Sequence, residues 1–147
     1  MKIPGDLLTV ACLVSLAVSL ALPLSAQAPE TYKGRLAPVP VDAQLARNTT
    51  GHGSASVALA GAKLTVSGSF EGLLGPATAA QLRRGLATGV RGPVLCDLTV
   101  TKAASGTLSG TFDLTPEQID GLRKGRLYVQ IDSEKAPDGN LWGWLLK

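Results

Sequence analysis

Histidine is almost absent from this chain of 147 residues, since His52 is the only one and lies between Gly51 and Gly53. Hydrolytic triads and most general-base mechanisms use an imidazole. Any such mechanism here would depend on a histidine in a flexible turn just before a strand. We interpret His52 as an exposed turn residue and predict no catalytic residues and no enzymatic activity.

Cysteine is nearly as scarce, with only Cys12 and Cys96. If Cys12 leaves with a signal peptide, the remaining thiol cannot form an internal disulfide. Cys96 shares an alternating apolar face with Val94 and Leu98, which predicts a buried, inert thiol, the alternative being a reactive one. One histidine and one buried cysteine are too few for a typical transition-metal site, so we expect no metal and no cofactor.

The one long apolar run stands near the N-terminus. Lys2 precedes an almost wholly apolar stretch from Leu7 to Leu22, and Ala26-Gln27-Ala28 matches the small-x-small pattern of a cleavage site. We predict a signal peptide over residues 1–28, a periplasmic or secreted location, and no membrane span after cleavage. An uncleaved membrane anchor is the alternative. An exported protein without disulfides is typical of a bacterial envelope.

Charge is modest in the predicted mature chain of 119 residues, what remains when 28 of the 147 are removed. Loss of Lys2 and Asp6 leaves 13 of 14 basic and 10 of 11 acidic residues, so the net charge stays +3. The bases form only small groups, Arg83-Arg84 near Arg91 and Arg123-Lys124 near Arg126. Nucleic-acid binders usually carry a dense basic stripe with interleaved aromatics, so we expect no nucleic-acid partner.

Apolar and polar residues alternate over much of the remaining sequence, which is the pattern of strands with one buried face. The alternating segments start at Ser54, Lys63, Val94, Thr107 and Arg126. The proline-containing lead-in, residues 29–50, could add an edge strand around Tyr32–Leu36. The segment Leu141–Leu146 is apolar on both faces and predicts a fully covered strand or a partner surface.

Two segments interrupt this pattern. Thr115-Pro116-Glu117-Gln118 has the capping-box spacing of a helix start, and the helix should end at Gly125. The alanine-rich segment from Pro76 to Arg84 predicts a second helical turn. We therefore expect an all-β, Greek-key sandwich or barrel of about seven strands with two short helical turns, a single domain over residues 51–147.

The order of several short motifs resembles the CHRD family, the chordin-type domain, from about Tyr32 to Leu146. The motifs are Phe70-Glu71-Gly72-Leu73, Pro76-Ala77-Thr78-Ala79-Ala80, Gly92-Pro93-Val94, Gly110-Thr111-Phe112-Asp113-Leu114-Thr115, Gly125-Arg126-Leu127-Tyr128-Val129, Pro137-Asp138-Gly139 and Trp142-Gly143-Trp144-Leu145. The resemblance implies an extracytoplasmic β-sandwich, akin to that of copper/zinc superoxide dismutase, with no established catalytic activity.

The chain departs from the family pattern where relatives usually carry histidines. Gln81-Leu82-Arg83 stands in place of His-x-His, and Asp132 stands in place of another histidine. A trio of imidazoles would be a plausible metal site, but a guanidinium stays charged and cannot ligate a metal. We therefore predict a salt bridge between Arg83 and Asp132, the alternative being two unrelated surface charges.

The best candidates for binding are aromatic. Trp142 and Trp144 lie on one face of a strand, and if Leu141 and Leu145 face the core, both tryptophans point outward beside Tyr128. Exposed tryptophans are typical interface anchors. In the alternative, the tryptophans fill the core and the leucines point out.

We therefore expect a non-catalytic binding or structural module, an accessory to another envelope or extracellular protein. The binding surface should comprise the loop around Gln81–Arg91 and the strand Arg126–Asp132. The candidate binding residues are Gln81, Arg83, Arg84, Tyr128, Asp132, Trp142 and Trp144. The alternative is a metal-binding or oxidoreductase-related envelope protein with a dismutase-like sandwich.

Overall fold

The computed structural model describes residues 28–147, so nearly all of the predicted signal peptide lies outside the described residues. These residues form a closed, antiparallel barrel in the order β1-β2-β3-β6-β5-β4-β7-β8. The strands are β1 Glu30–Pro38, β2 His52–Ala60, β3 Lys63–Glu71, β4 Ala77–Arg84, β5 Val94–Val100, β6 Gly106–Asp113, β7 Leu127–Ser133 and β8 Leu141–Trp144. Because β3 lies beside β6 and the meander β4-β5-β6 follows it in the chain, this part is a Greek key.

The alternating segments form β2, β3, β5, β6 and β7, as predicted. In β2 and β3, Val57 and Val66 are paired and point into the core, whereas Ser56 and Ser67 are paired on the outer face. Burial of each such apolar side chain stabilises the fold by about 1.5–3 kcal/mol. A period of two therefore gives the barrel its apolar interior.

The predicted helix is present as α1, Pro116–Arg123, and its capping box is formed. Gln118 N–H donates to Thr115 Oγ1 over 3.2 Å, and Thr115 N–H donates to Gln118 Oε1 over 3.0 Å. Gly125 follows with a φ of 70°, a conformation that favours glycine after a helix. The start and the end of α1 were thus both readable from the sequence.

The predicted helical turn from Pro76 to Arg84 is wrong, because this segment is strand β4. Its alanines and glutamine favour helix locally, but β4 is hydrogen-bonded to β5 on one side and β7 on the other. Pairing on both sides outweighs local propensity. The barrel consequently has eight strands rather than seven, and the second helical element is a 3₁₀ turn at Leu45–Asn48.

The first strand is longer than the predicted Tyr32–Leu36, and its predicted edge position is also wrong. β1 pairs with β2 from Glu30 onward, and its last residues, Ala37 and Pro38, pair with β8. Because β1 and β8 close the barrel, β1 has a neighbour on both sides.

Candidate functional site

Six of the seven predicted binding residues lie together on the outer surface of β4, β7 and β8. The register pairs Gln81 with Gln130, Arg83 with Tyr128, and Tyr128 with Trp144. Side chains directly opposite each other on neighbouring strands point to the same side of a sheet. We call this surface the covered face, defined by Gln81, Arg83, Tyr128, Gln130, Asp132, Trp142 and Trp144.

Arg84 is the predicted binding residue that does not share the covered face. It follows Arg83 in the strand and therefore points to the opposite side, toward the barrel end at which α1 lies. Its Nη1 is 3.3 Å from Glu117 Oε1 of α1. Arg84 thus belongs to a neighbouring surface.

The aromatic side chains form one cluster on the covered face. Leu141 and Leu145 are fully buried, and the tryptophans between them point outward, so the alternative with tryptophans in the core is wrong. The Tyr128 ring is 4.4 Å from Trp144 and 5.9 Å from Trp142 between centroids. Trp142 and Trp144 are half-buried and Tyr128 is fully buried, so the cluster is not openly exposed. Their role in binding stays a prediction.

The segment between β4 and β5, residues 85–93, covers part of this face; we call it the β4–β5 loop. The Tyr128 hydroxyl accepts a hydrogen bond from Gly92 N–H at 2.9 Å and donates to the Gly92 carbonyl at 3.3 Å. Near the middle of the loop, Thr88 Oγ1 donates to the Gly125 carbonyl over 2.7 Å. A Cβ at Gly92 would overlap the carbonyl oxygen of Arg84. The loop is therefore tightly anchored to the barrel.

The predicted salt bridge between Arg83 and Asp132 is wrong. The Arg83 guanidinium donates to Gln81 Oε1 over 2.7 and 3.0 Å and to the Gly92 carbonyl over 3.2 Å. Asp132 instead accepts from Gln130 Nε2 over 2.8 Å. Gln81 is two positions from Arg83 on β4, and Gln130 is two positions from Asp132 on β7, so each pair points to the same side of the sheet. These neighbours on the same strand are the bonding partners, whereas the prediction considered only a pair across two strands.

Asp132 is an unusual member of the covered face because it is a carboxylate that is only 8% exposed. Burial raises its pKa above the ordinary value, and the hydrogen bond from Gln130 and the charge of Arg83 partly oppose this rise. Gln130 is itself 2% exposed, and its Oε1 has no hydrogen-bond partner among the described residues. Sequence reasoning missed Gln130, because the alternation placed it on a face expected to be wet.

The residues on the covered face do not fit a transition-metal site. Gln81 Oε1 already accepts two hydrogen bonds from Arg83. Asp132 is the one carboxylate of this set, and a guanidinium cannot replace an imidazole ligand. In the part of the chain that the structure describes, no three His, Cys, Asp or Glu side chains are grouped so that they could hold a metal ion.

Two depressions adjoin the β4–β5 loop, and Arg91 lines both. The larger, which we call the arginine cleft, has a volume of about 510 Å³ and is formed by Arg84, Leu86, Arg91, Pro93, Glu117 and Arg126, among others. The smaller, which we call the apolar pocket, has about 260 Å³ and is formed by Val41, Leu45, Arg91, Pro137 and Asp138, among others. The sequence had indicated the basic groups but not that Arg91 joins two cavities.

The remaining candidates lie elsewhere. Cys96 is half-buried rather than fully buried, and burial, with the nearby Asp97 carboxylate, raises the pKa of its thiol. His52 is exposed, as predicted, but it begins β2 rather than preceding it, and its Nε2 lies 2.7 Å from Glu71 Oε1. Among residues 28–147 there is no candidate for a membrane-spanning helix, since α1 has only eight residues.

Comparison with family models places the motifs of this barrel in one family. The model of the CHRD domain matches residues 37–145, most of the barrel from the end of β1 through β8. The chain belongs to the CHRD domain family. Comparison with curated proteins and with solved structures gives no match.

Proposed function

We propose that this protein is an exported, non-catalytic binding module that docks another envelope or extracellular protein through its β4–β5 loop. The observation that carries the proposal is where the exposed apolar side chains lie. Leu86 is 84% exposed at the start of this loop, and Val90 and Val94 follow in or directly after it. Exposed apolar side chains gathered at one place are typical of interfaces.

Two more exposed leucines border the same region. Leu146, 47% exposed, comes within contact distance of the Cβ position of Gly125, which Thr88 of the loop also approaches. Leu45, 52% exposed, lines the apolar pocket together with Arg91. The apolar surface therefore continues from the loop to both sides.

The anchoring of the loop supports the same proposal. Its hydrogen bonds to Tyr128 and Gly125 hold Leu86 and Val90 on a preformed support. A loop that is ordered before binding loses less conformational entropy when a partner docks. The aromatic cluster under the loop then acts mainly as the support of the binding surface.

A capture experiment with two leucine variants tests the docking surface. The protein is immobilised as wild type, as Leu86→Ser and as Leu74→Ser, and each is exposed to an envelope extract. Leu74 is a matched control because it is also exposed, at 57%, but lies between β3 and β4. A partner retained by wild type and Leu74→Ser but lost with Leu86→Ser supports the proposal. Equal capture by all three proteins, or none by the wild type, contradicts it.

Export is the other half of the proposal. It is supported by the apolar N-terminal run and the Ala26-Gln27-Ala28 pattern. N-terminal sequencing of the protein from the envelope or the medium should give a chain that begins at Pro29. A protein that retains Lys2 and stays in the cytoplasmic fraction contradicts export.

A further inference from the structure

We infer that the docked segment is an acidic, extended stretch of another protein with apolar side chains between its carboxylates. This inference rests on the proposed function and adds the chemistry of the partner. The arginine cleft contains Arg84, Arg91 and Arg126 but only one carboxylate, that of Glu117. Its formal charge is therefore +2, which favours an anionic occupant.

Two cations of the cleft form no salt bridge within residues 28–147, namely Arg91 and Arg126, whereas Arg84 is paired with Glu117 at 3.3 Å. Carboxylates do lie in the neighbourhood of both: Asp138 lines the apolar pocket beside Arg91, the charge of Arg91 also acts on Asp132, and that of Arg126 acts on Asp120. A guanidinium can bind a carboxylate through two parallel hydrogen bonds. Arg91 and Arg126 are thus the groups to which carboxylates of the partner would bind.

Apolar surface lies on both sides of Arg91. Leu86 and Pro93 belong to the arginine cleft, and Val41 and Leu45 belong to the apolar pocket. Residues i, i+2 and i+4 of an extended chain point to the same side. A segment running across Arg91 could therefore place apolar side chains from positions i and i+4 in the two depressions and a carboxylate from position i+2 on the guanidinium between them.

The shape of the surface favours a peptide over a membrane or a nucleic acid. The two depressions have volumes of about 510 and 260 Å³, which suit side chains better than a flat bilayer surface. Single-stranded nucleic acids usually stack on open aromatic rings. Here Tyr128 is fully buried and the two tryptophans are half-buried beneath the loop.

The test uses three synthetic peptides with the folded protein. The leucine–aspartate peptide repeats Leu-Ser-Asp-Ser, so that leucine and aspartate share one side of the extended chain. The leucine–lysine peptide repeats Leu-Ser-Lys-Ser, and the serine–aspartate peptide repeats Ser-Ser-Asp-Ser. Both tryptophans of the chain report on binding, because the Cβ position of Gly85 in the loop lies 2.9 Å from the Trp144 ring. We expect a saturable change in tryptophan emission only with the leucine–aspartate peptide, and its affinity should fall as salt is added.

Charge-reversal variants locate the contact. Arg91→Glu should weaken the leucine–aspartate peptide by about tenfold or more, whereas Lys102→Glu should leave its affinity unchanged. Lys102 is a matched control because it is exposed and follows β5, at the opposite end of that strand from the loop. Arg126→Glu should act like Arg91→Glu and so shows whether the effect belongs to the whole cleft.

Three outcomes of the peptide experiments would each overturn the inference. They are equal binding of the leucine–aspartate and leucine–lysine peptides, equal losses in Arg91→Glu and Lys102→Glu, and no binding of the leucine–aspartate peptide. Arg91-dependent binding to vesicles of anionic lipid, or to a single-stranded oligonucleotide, in place of the peptide would also overturn it. If the capture that depends on Leu86 persists while the peptides fail, the docking surface stands and the acidic partner does not. If neither the Leu86-dependent capture nor the binding of the leucine–aspartate peptide is observed, the proposed function is contradicted as well.

Discussion

The two sides of this barrel differ in what covers them. On β2, β3 and β6 the central part of the outer surface carries mainly small hydroxyl side chains in contact with solvent, with Ser54 paired to Ser69 and Ser67 to Ser109. We call it the hydroxyl face. On β4, β7 and β8 loops lie over the outer surface, so that all seven residues of β7 are buried. A strand of the same barrel can thus have one wet face or none.

The two faces also differ in how much their outward side chains contribute to the stability of the fold. On the hydroxyl face, the outward side chains are bonded at most to one another, as Ser56 Oγ is to Ser67 Oγ at 3.4 Å, and water can replace such a partner. On the covered face, Tyr128 and Arg83 hold the β4–β5 loop through Gly92, so these outward side chains support another part of the chain. Substitutions should therefore cost much on one side of the barrel and little on the other.

Among the substitutions considered, Gly92→Ala should lower the stability of the fold the most. A Cβ at this position would overlap the Arg84 carbonyl, which is backbone and cannot rotate away, so the loop must move. We expect a loss of about 3 kcal/mol in the free energy of unfolding, near the upper end of overpacking costs. Gly75→Ala is the control, because its Cβ would meet first the flexible Lys135 side chain at 3.2 Å. Denaturant unfolding that shows equal losses for both variants contradicts a rigidly anchored loop.

Tyr128→Phe should have the next largest effect. The change removes the hydroxyl that pairs with both backbone groups of Gly92, and we expect a loss of about 1 kcal/mol. Ser67→Ala on the hydroxyl face should change stability by no more than about 0.5 kcal/mol, because Ser67 is exposed. Equal losses in chemical denaturation would mean that the two faces do not differ as described.

Asp132→Asn should raise stability at neutral pH. Because burial raises the pKa of Asp132, the folded protein holds this proton more tightly than the unfolded chain, and ionisation destabilises the fold. The variant should have a higher denaturation midpoint than wild type at pH 7. The difference in denaturation midpoint between variant and wild type should disappear as the pH falls toward 3.8, the ordinary pKa of the carboxyl. A variant that is less stable at pH 7 contradicts the unfavourable burial of this charge.

Glu30→Gln should show the opposite pH dependence, with a smaller effect because this carboxylate is partly exposed. The hydrogen bonds from Arg123, and then from Tyr32, lower the pKa of Glu30 from 4.5 to about 2. The ionised carboxylate therefore stabilises the fold above pH 4.5, and this contribution is lost as the pH falls from 4.5 toward 2. Wild type should exceed the variant in thermal midpoint at pH 7 but not near pH 2. A difference in thermal midpoint that stays constant from pH 7 to pH 2 would argue against the ion pair of Glu30 with Arg123.

The sequence could be read wherever apolar and polar residues alternate. Alternation identified β2, β3, β5, β6 and β7, including β7, all of whose residues are buried. β4 was missed because its alanines and Gln81 favour helix locally and show no clear alternation. Its pairing with β5 and β7 is a tertiary feature, and no local pattern encodes it.

The candidate site could be predicted only in part. The aromatic strand and the two basic groups were visible in sequence, and the structure brings most of the predicted residues together. The partners of Arg83 and Asp132 were not predictable, because hydrogen bonds depend on which neighbour is nearer within the sheet. Leu86 and Arg91 lie in the loop that was predicted as part of the binding surface, but neither was singled out, because exposure and shared cavities exist only once the loop is folded.

One measurement compares the two faces directly as docking surfaces. A photo-crosslinking amino acid is placed at Leu86 in the β4–β5 loop and, in a second protein, at Thr107 on the hydroxyl face, both exposed. After irradiation in the native envelope, the account predicts a discrete crosslinked partner from position 86 and none from position 107. A partner crosslinked from position 107 alone, or no adduct from position 86, would contradict docking through the loop.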